Sequence, residues 1–241
     1  FPTPAEGDIP QATVITTSGG LTGGDKIAIT TAVKQSARAM IASQAAEKIY
    51  RSAGQNVQIN VALATESDAW LEYLPQETIL FDGAKLARIT SVDAMPGSQV
   101  LAGEIIVFGR RGSGESFQNG FFSESWRVRL DNRLTWADTL LLNDPKNGAL
   151  HHPAGFDGAV AMATAIYLGP DASMHLDLAR NLISCTGDLV KSSATIVNGV
   201  LVIRFLGRET FSLRTAFGLF WQNFRHGVSG LPAKMPRLWE M

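Results

Sequence analysis

The stretch V-Q-I-N-V-A-L, residues 57–63, places Val57, Ile59, Val61 and Leu63 on one side of the chain and small or polar residues on the other. Successive side chains of a strand point to opposite faces, so this alternation marks a half-buried β-strand. Ser67–Asp68 breaks the pattern, and residues 70–74 form the next strand, stopped by Pro75. Residues 78–81 end at the turn dipeptide Asp82–Gly83, after which 86–92, 100–108, 121–130 and 134–142 continue the series. Strands recurring this closely, with no long helix between them, predict stacked or sandwiched sheets instead of β-α-β units. No repeat of fixed period is visible.

Working back towards the start, residues 1–11 read as an extended lead-in with three prolines, and 12–15 as a short apolar strand. Residues 26–33 alternate Ile27, Ile29 and Thr31 against polar neighbours, a further strand. The segment 36–52 carries both helical residues and an alternation of Ala37, Ala39 and Ile41, and is read as strand followed by turn. Working forward, 159–168 is strand-like. Asp171 or Ser173 then caps a helix with Leu176, Ala179, Leu182 and Ile183 buried. A hairpin over 193–206 turns at Asn198–Gly199, the type I′ dipeptide. A second helix starts near Thr210, buries Leu213, Phe217, Phe220 and Phe224, and stops at Gly227. The expected fold is a mainly β, single elongated domain spanning 1–241, with two α-helices in its carboxy-terminal third.

Composition narrows the function. The 241 residues carry a formal net charge of −1, so no overall field recruits nucleic acid or an anionic membrane. No segment is apolar for long enough to span a bilayer, and no signal peptide opens the chain. Cys185 is the sole cysteine, which excludes an internal disulfide and a cysteine-based zinc site and suits a reducing, cytoplasmic setting. The chain begins at Phe1 instead of methionine, and its natural start is expected to be missing.

Several stretches invite a chemical reading. T-T-S-G-G-L-T-G-G-D, residues 16–25, lacks the G-K-[ST] of a phosphate loop and precedes strand-like residues, so its glycines read as a turn. Asp25 beside them is either a turn-capping carboxylate or a functional one. R-R-G-S-G-E-S-F, residues 110–117, lacks a nucleophile elbow and reads as a loop between strands. His151–His152 reads as a solvated loop, and His175 and His226 as surface or capping residues on helices. Glu104 interrupts the apolar run V-L-A-G-E-I-I-V-F, where a carboxylate needs an ion pair (with an arginine such as Arg110), a metal or water. Glu72 and Glu77 supply the carboxylates of a conceivable glycosidase pair, though nothing in their spacing demands it. No arrangement of nucleophile and base is legible, and the chain is read as not an enzyme.

Taken together, S-G-G-L-T-G-G-D (18–25), A-A-E-K-I-Y-R-S (45–52), W-L-E-Y-L-P-Q-E-T-I-L-F-D-G-A (70–84), F-G-R-R-G-S-G-E-S-F (108–117), I-R-F-L-G and M-P-R-L-W resemble the urease accessory protein family UreD, called UreH in some organisms. The blocks occur in family order over nearly the whole chain. Departures are Thr16–Thr17, Ala42–Ser43, and a strand-bearing segment that the family carries before the position of Phe1. The resemblance implies a β-rich protein that bridges apo-urease to UreF and to the GTPase UreG, and that offers Ni²⁺ an internal path to the urease site. It implies no tightly bound cofactor, with Ni²⁺ only in transit. Weak oxygen ligands suit a metal that must move on. By this resemblance Asp25, Glu104 and Glu47 are assigned to the nickel passage, Lys48, Glu72 and Glu115 to its support, and Arg237, Leu238 and Trp239 to partner binding. The alternative is an adaptor that docks partners without conducting metal.

Overall fold

A computed structural model describes residues 6–145, 148–184 and 187–239. Cys185, the first five residues of the lead-in and the last two of the tail lie outside the described residues. The strands are β1 (Gln11–Val14), β2 (Lys26–Val33), β3 (Arg38–Ser43), β4 (Glu47–Ile49), β5 (Val57–Thr65), β6 (Trp70–Leu74), β7 (Thr78–Leu80), β8 (Lys85–Ala94), β9 (Gln99–Phe108), β10 (Phe121–Leu130), β11 (Arg133–Asn143), β12 (Ala161–Leu168), β13 (Val190–Val197) and β14 (Val200–Gly207). The helices are α1 (Leu176–Ile183) and α2 (Thr210–Ser229). Stacked sheets in a mainly β chain are therefore what the alternation predicted.

The connectivity carries a feature the alternation did not reveal. One sheet runs β11-β10-β8-β5-β2, the other β1-β3-β6-β9-β12-β14-β13, with β4 and β7 continuing the second sheet beside β9. The chain passes from one sheet to the other and back, so β2, β5, β8 and β10 pair in parallel, as do β1, β3, β6 and β9. Parallel neighbours ordinarily need a helical crossover. Here the crossover is a strand of the opposite sheet, and the chain coils. Lys26 lies opposite Gln58, Val57 opposite Leu86 and Lys85 opposite Phe121, so successive turns of the coil differ in length. That is why no fixed period shows in the sequence.

Two cores result. Val57, Ile59, Val61 and Leu63 point between the sheets, together with Leu71, Val100, Ala102, Ile106, Phe122 and Trp126. On the other side of the nine-stranded sheet, Trp70, Leu101, Ile105, Tyr167, Phe205, Phe217, Phe220 and Trp221 pack under the helices. β9 is buried on both faces, which explains its unbroken apolar run.

The turn at Asn198–Gly199 has φ of 48° and 83°, the left-handed pair that a type I′ hairpin requires. The second helix continues past Gly227 to Ser229, and Gly230 at φ 68° is its cap, donating its amide to the His226 carbonyl. Gly227 is instead a packing glycine, since a Cβ there would stand 2.7 Å from Leu178 Cδ2. The first helix is preceded by a 3-10 turn, Ala172–His175, and Asp171 makes no side-chain cap. Its carboxylate accepts from Tyr167 Oη and lies 2.9 Å from His175 Nε2. His175 also packs edge-on to Tyr167 and Phe224, and so belongs to the second core more than to the surface.

The glycine stretch joins β1 to β2 within the first turn of the coil. A Cβ on Gly23 would stand 2.0 Å from Ser52 Oγ and 2.5 Å from the Gln55 carbonyl, so the backbone of one turn rests directly on the next. Gly23→Ala is expected to destabilise the chain by about 1–3 kcal/mol through overpacking, read as a lowered urea midpoint with unchanged slope.

Candidate functional site

The site begins at breaks in the strand rows. β3 stops at Ser43 and β4 resumes at Glu47; in the next turn β6 stops before Pro75 and β7 resumes at Thr78. Proline cannot donate to a ladder, so Pro75 enforces the second break. β9 runs on without interruption beside them. It pairs with β6 up to Ala102 and with β7 from Ile106, leaving Glu104 opposite the gap. A cavity of about 200 Å³ occupies this region. Its exposed mouth includes Thr16, Ser18, Gln44 and Lys48, with Glu47 half-buried, and its buried floor includes Tyr73, Thr78 and Arg88.

Arg88 is the centre of the floor. Its guanidinium donates to both Glu124 oxygens, from Nε at 2.7 Å and Nη2 at 2.6 Å, and from Nη1 to Thr78 Oγ1 at 2.9 Å. Nη2 also meets Glu104, whose other oxygen accepts from Trp126 Nε1 at 2.7 Å. Arg88 and Glu124 are register partners on β8 and β10, while Glu104 comes from the opposite sheet, so the cluster ties the two sheets together. Two carboxyls face one guanidinium in a buried setting. Burial, reinforced by Glu124 and opposed by Arg88, drives the Glu104 pKa well above the ordinary carboxylate value. Burial likewise pushes the Tyr73 phenol up to about 12. Burial works against the charge of Arg88, but Glu104 and Glu124 overcome it and hold the guanidinium protonated.

A second buried ion pair lies on the helix side of the same sheet. Glu72, fully buried, accepts from Arg225 Nε at 3.0 Å on both oxygens and from the indoles of Trp70 and Trp221, each at 3.0 Å. Arg225 also reaches Asp8 and the Pro232 carbonyl, so one guanidinium holds the lead-in, β6 and the segment after α2. Desolvation raises the Glu72 pKa against the pull of Arg225 and the indoles.

The residues singled out in the sequence are thus dispersed. Glu104 is in the floor cluster, with Arg88 as its partner; Arg110 pairs with Glu115 instead, at 3.3 Å, and lies over the Phe81 ring. Glu47 sits at the mouth, accepting from Thr16 Oγ1 at 2.8 Å, beside Lys48. Asp25 is exposed and closes the glycine turn, accepting from the Thr22 amide at 2.7 Å. Glu72 is on the far side of the sheet, and Glu115 caps the turn at Asp82 by accepting from its amide. Glu72 and Glu77 are each committed to a different arginine, Arg225 and Arg214. Leu238 and Trp239 fold back onto the molecule, Trp239 buried and stacked on Phe217, while Arg237 is exposed. His152 is exposed in a turn, where Nδ1 accepts from the Ala154 amide. Among the described residues no group of three or more His, Cys, Asp or Glu is placed to hold a metal.

Arg88 and Glu124 are the residues that sequence reasoning missed. The signal was present: Arg88 shares the inward alternation of Leu86, Thr90 and Val92, and Glu124 that of Phe122, Trp126 and Val128. A charged residue on such a face demands a partner.

Fold and site define a class: a coiled β protein with parallel strands in both sheets, whose internal cavity ends on buried charge. Residues 1–240 match the sequence model of the family described as UreD urease accessory protein. The chain is 40% identical to the urease accessory protein UreD of Magnetococcus marinus, over all of this chain and 84% of the relative. It is 38% identical to the UreD of Granulibacter bethesdensis, over 99% and 98% of the two chains, and 37% identical to that of a Methylobacterium species, over 98% and 82%. The chain belongs to the UreD family of urease accessory proteins.

Proposed function

We propose that this urease accessory protein bridges apo-urease to UreF-type and UreG-type partners in the cytoplasm, and that Ni²⁺ passes through the cavity between its sheets. The observation that carries the reading is the lining: hydroxyl, amide and carboxylate oxygens lead from Thr16, Gln44 and Glu47 down to Tyr73 and Thr78, and Glu104 stands behind Arg88. Such ligands hold a borderline cation weakly enough to let it leave. In this reading Glu47 and Glu104 are the exchange points, Asp25 serves at the surface outside the cavity lining, and Lys48 and Arg88 keep the path from trapping the cation. Glu72 and Glu115 support the walls from outside the cavity.

The test is co-expression with apo-urease and the other accessory proteins, reading the nickel content of purified urease. Ala46→Trp, which fills the mouth, is expected to lower nickel content at least severalfold while pull-down of apo-urease and the UreF-type partner stays the same. Asp25→Ala combined with Glu104→Gln should act in the same direction. Unchanged nickel content in both variants would remove the conduit role.

The adaptor reading rests on a different observation. Phe211 and Leu219, 73% and 52% exposed, lie on the outer face of α2. Large apolar side chains sharing one exposed face mark candidate interaction surfaces. If Phe211→Asp abolishes partner capture while Ala46→Trp leaves nickel content unaltered, the chain is an adaptor without conduction. No helix among the described residues is long and apolar enough to cross a membrane.

A further inference from the structure

The segment Gln76–Glu77 belongs to two structures at once. On one side it builds the cavity: the Gln76 amide donates to Ser43 Oγ at 2.7 Å, and the Glu47 amide donates to the Glu77 carbonyl at 2.8 Å. On the other side it holds the carboxy-terminal turn. Gln76 Nε2 donates to the Leu238 carbonyl at 2.8 Å, and Gln76 Oε1 accepts from Arg214 Nη1 at 2.6 Å. Arg214 also pairs with Glu77, donates from Nη2 to the Trp239 carbonyl at 2.9 Å, and places its guanidinium 4.5 Å from the Trp239 ring centroid. Trp239 is buried against Phe217, yet among the described residues its Nε1 is without a hydrogen-bond partner. An unmet indole donor weakens the seating of an otherwise well-packed ring.

We propose that the carboxy-terminal turn Arg237–Trp239 is a latch on the cavity: its seating on Arg214 fixes Gln76 and Glu77, and through them the Ser43 and Glu47 side of the mouth. Every link is a direct contact. Trp239 holds Arg214, Arg214 holds Gln76 and Glu77, and these hold the backbone on which Glu47 sits. When the turn leaves, Gln76 and Glu77 lose their outer partners. Buried polar groups left in that condition seek new ones, so the mouth loosens. Coupling of this kind is reciprocal: loosening the Gln76 side must weaken the seating of the turn by the same factor. The inference goes beyond the nickel reading and does not depend on it, since it concerns the wall and not the cargo.

Hydrogen–deuterium exchange on the full chain tests it in both directions. Trp239→Ala unseats the turn from the tail side. Amides in peptides covering 43–48 and 75–78 are then expected to exchange at least tenfold faster, with those of β5 and β8 unchanged. Gln76→Leu keeps the side-chain bulk, removes both side-chain hydrogen bonds, and acts from the cavity side. Faster exchange at the Trp239 amide, which donates to the Pro236 carbonyl, is expected with the tryptophan intact. Should Trp239→Ala loosen the whole molecule, Gln76→Leu decides alone. Exchange changes confined to 75–78 in Gln76→Leu, with the tail amides at their original rates, overturn the latch.

Discussion

Arg88→Met is expected to destabilise the folded chain by about 3–5 kcal/mol at neutral pH, the cost of stranding a buried charge by removing its partner. Glu124 loses a two-oxygen clasp and Glu104 its counter-charge, while both remain 4% exposed. The effect carries a pH signature. In the parent chain Glu104 already has a folded-state pKa above its ordinary value near 4.5, with burial the main cause. The folded state therefore binds the extra proton, and stability falls as pH rises from about 4.5 through the folded pKa. Without Arg88, which pulls the Glu104 pKa down, that pKa rises further, so the deficit of Arg88→Met grows with pH and shrinks in acid. Urea midpoints at pH 5 and pH 7.5 check this. A deficit equal at both values would mean that lost packing, not stranded charge, sets the cost. Glu104→Gln, which keeps the Trp126 contact and removes the titrating group, should flatten the pH dependence of the parent.

Arg225→Met is expected to have an effect of the same size, about 3–5 kcal/mol, for a related reason on the opposite face of the sheet. Glu72 is 0% exposed and would keep only its two indole donors. Arg225 also spans to Asp8 and the Pro232 carbonyl, so the variant should release both the lead-in and the segment after α2. Limited proteolysis is then expected to cut near 6–10 and 231–236 faster than in the parent. Adding Glu72→Gln to Arg225→Met should restore a substantial part of the stability, because a neutral amide costs less to bury than an unpaired carboxylate. No recovery in the double variant would show that Arg225 acts through packing alone.

The Arg88 cluster also explains why a chain of this kind has a cavity beside an ionic floor. A buried guanidinium with two carboxyls needs a polar neighbourhood and cannot be packed flush with leucines. The breaks at 44–46 and 75–77 provide that neighbourhood, and β9 passing uninterrupted beside them places Glu104 opposite the gap.

What the sequence determined by itself is local. The alternation of Val57, Ile59, Val61 and Leu63 named a strand with one inward face, because side-chain direction in a strand follows from covalent geometry. Asn198–Gly199 named its own turn, because only such residues adopt two successive positive φ angles cheaply. Glu104 stood out because a carboxylate in an apolar run has few alternatives. The blocks from 18–25 to the M-P-R-L-W tail were enough to place the chain near its family.

The tertiary structure alone decided the rest. The coil is written in register, and register joins residues about thirty positions apart, where unequal turns leave no period to read. Arg88 and Glu124, 36 residues apart, meet only because β8 and β10 align at that position. Asp25 and Glu104 look alike on paper as carboxylates beside structural elements. One caps an exposed turn and the other is sealed between sheets, since burial depends on what the rest of the chain brings to each place.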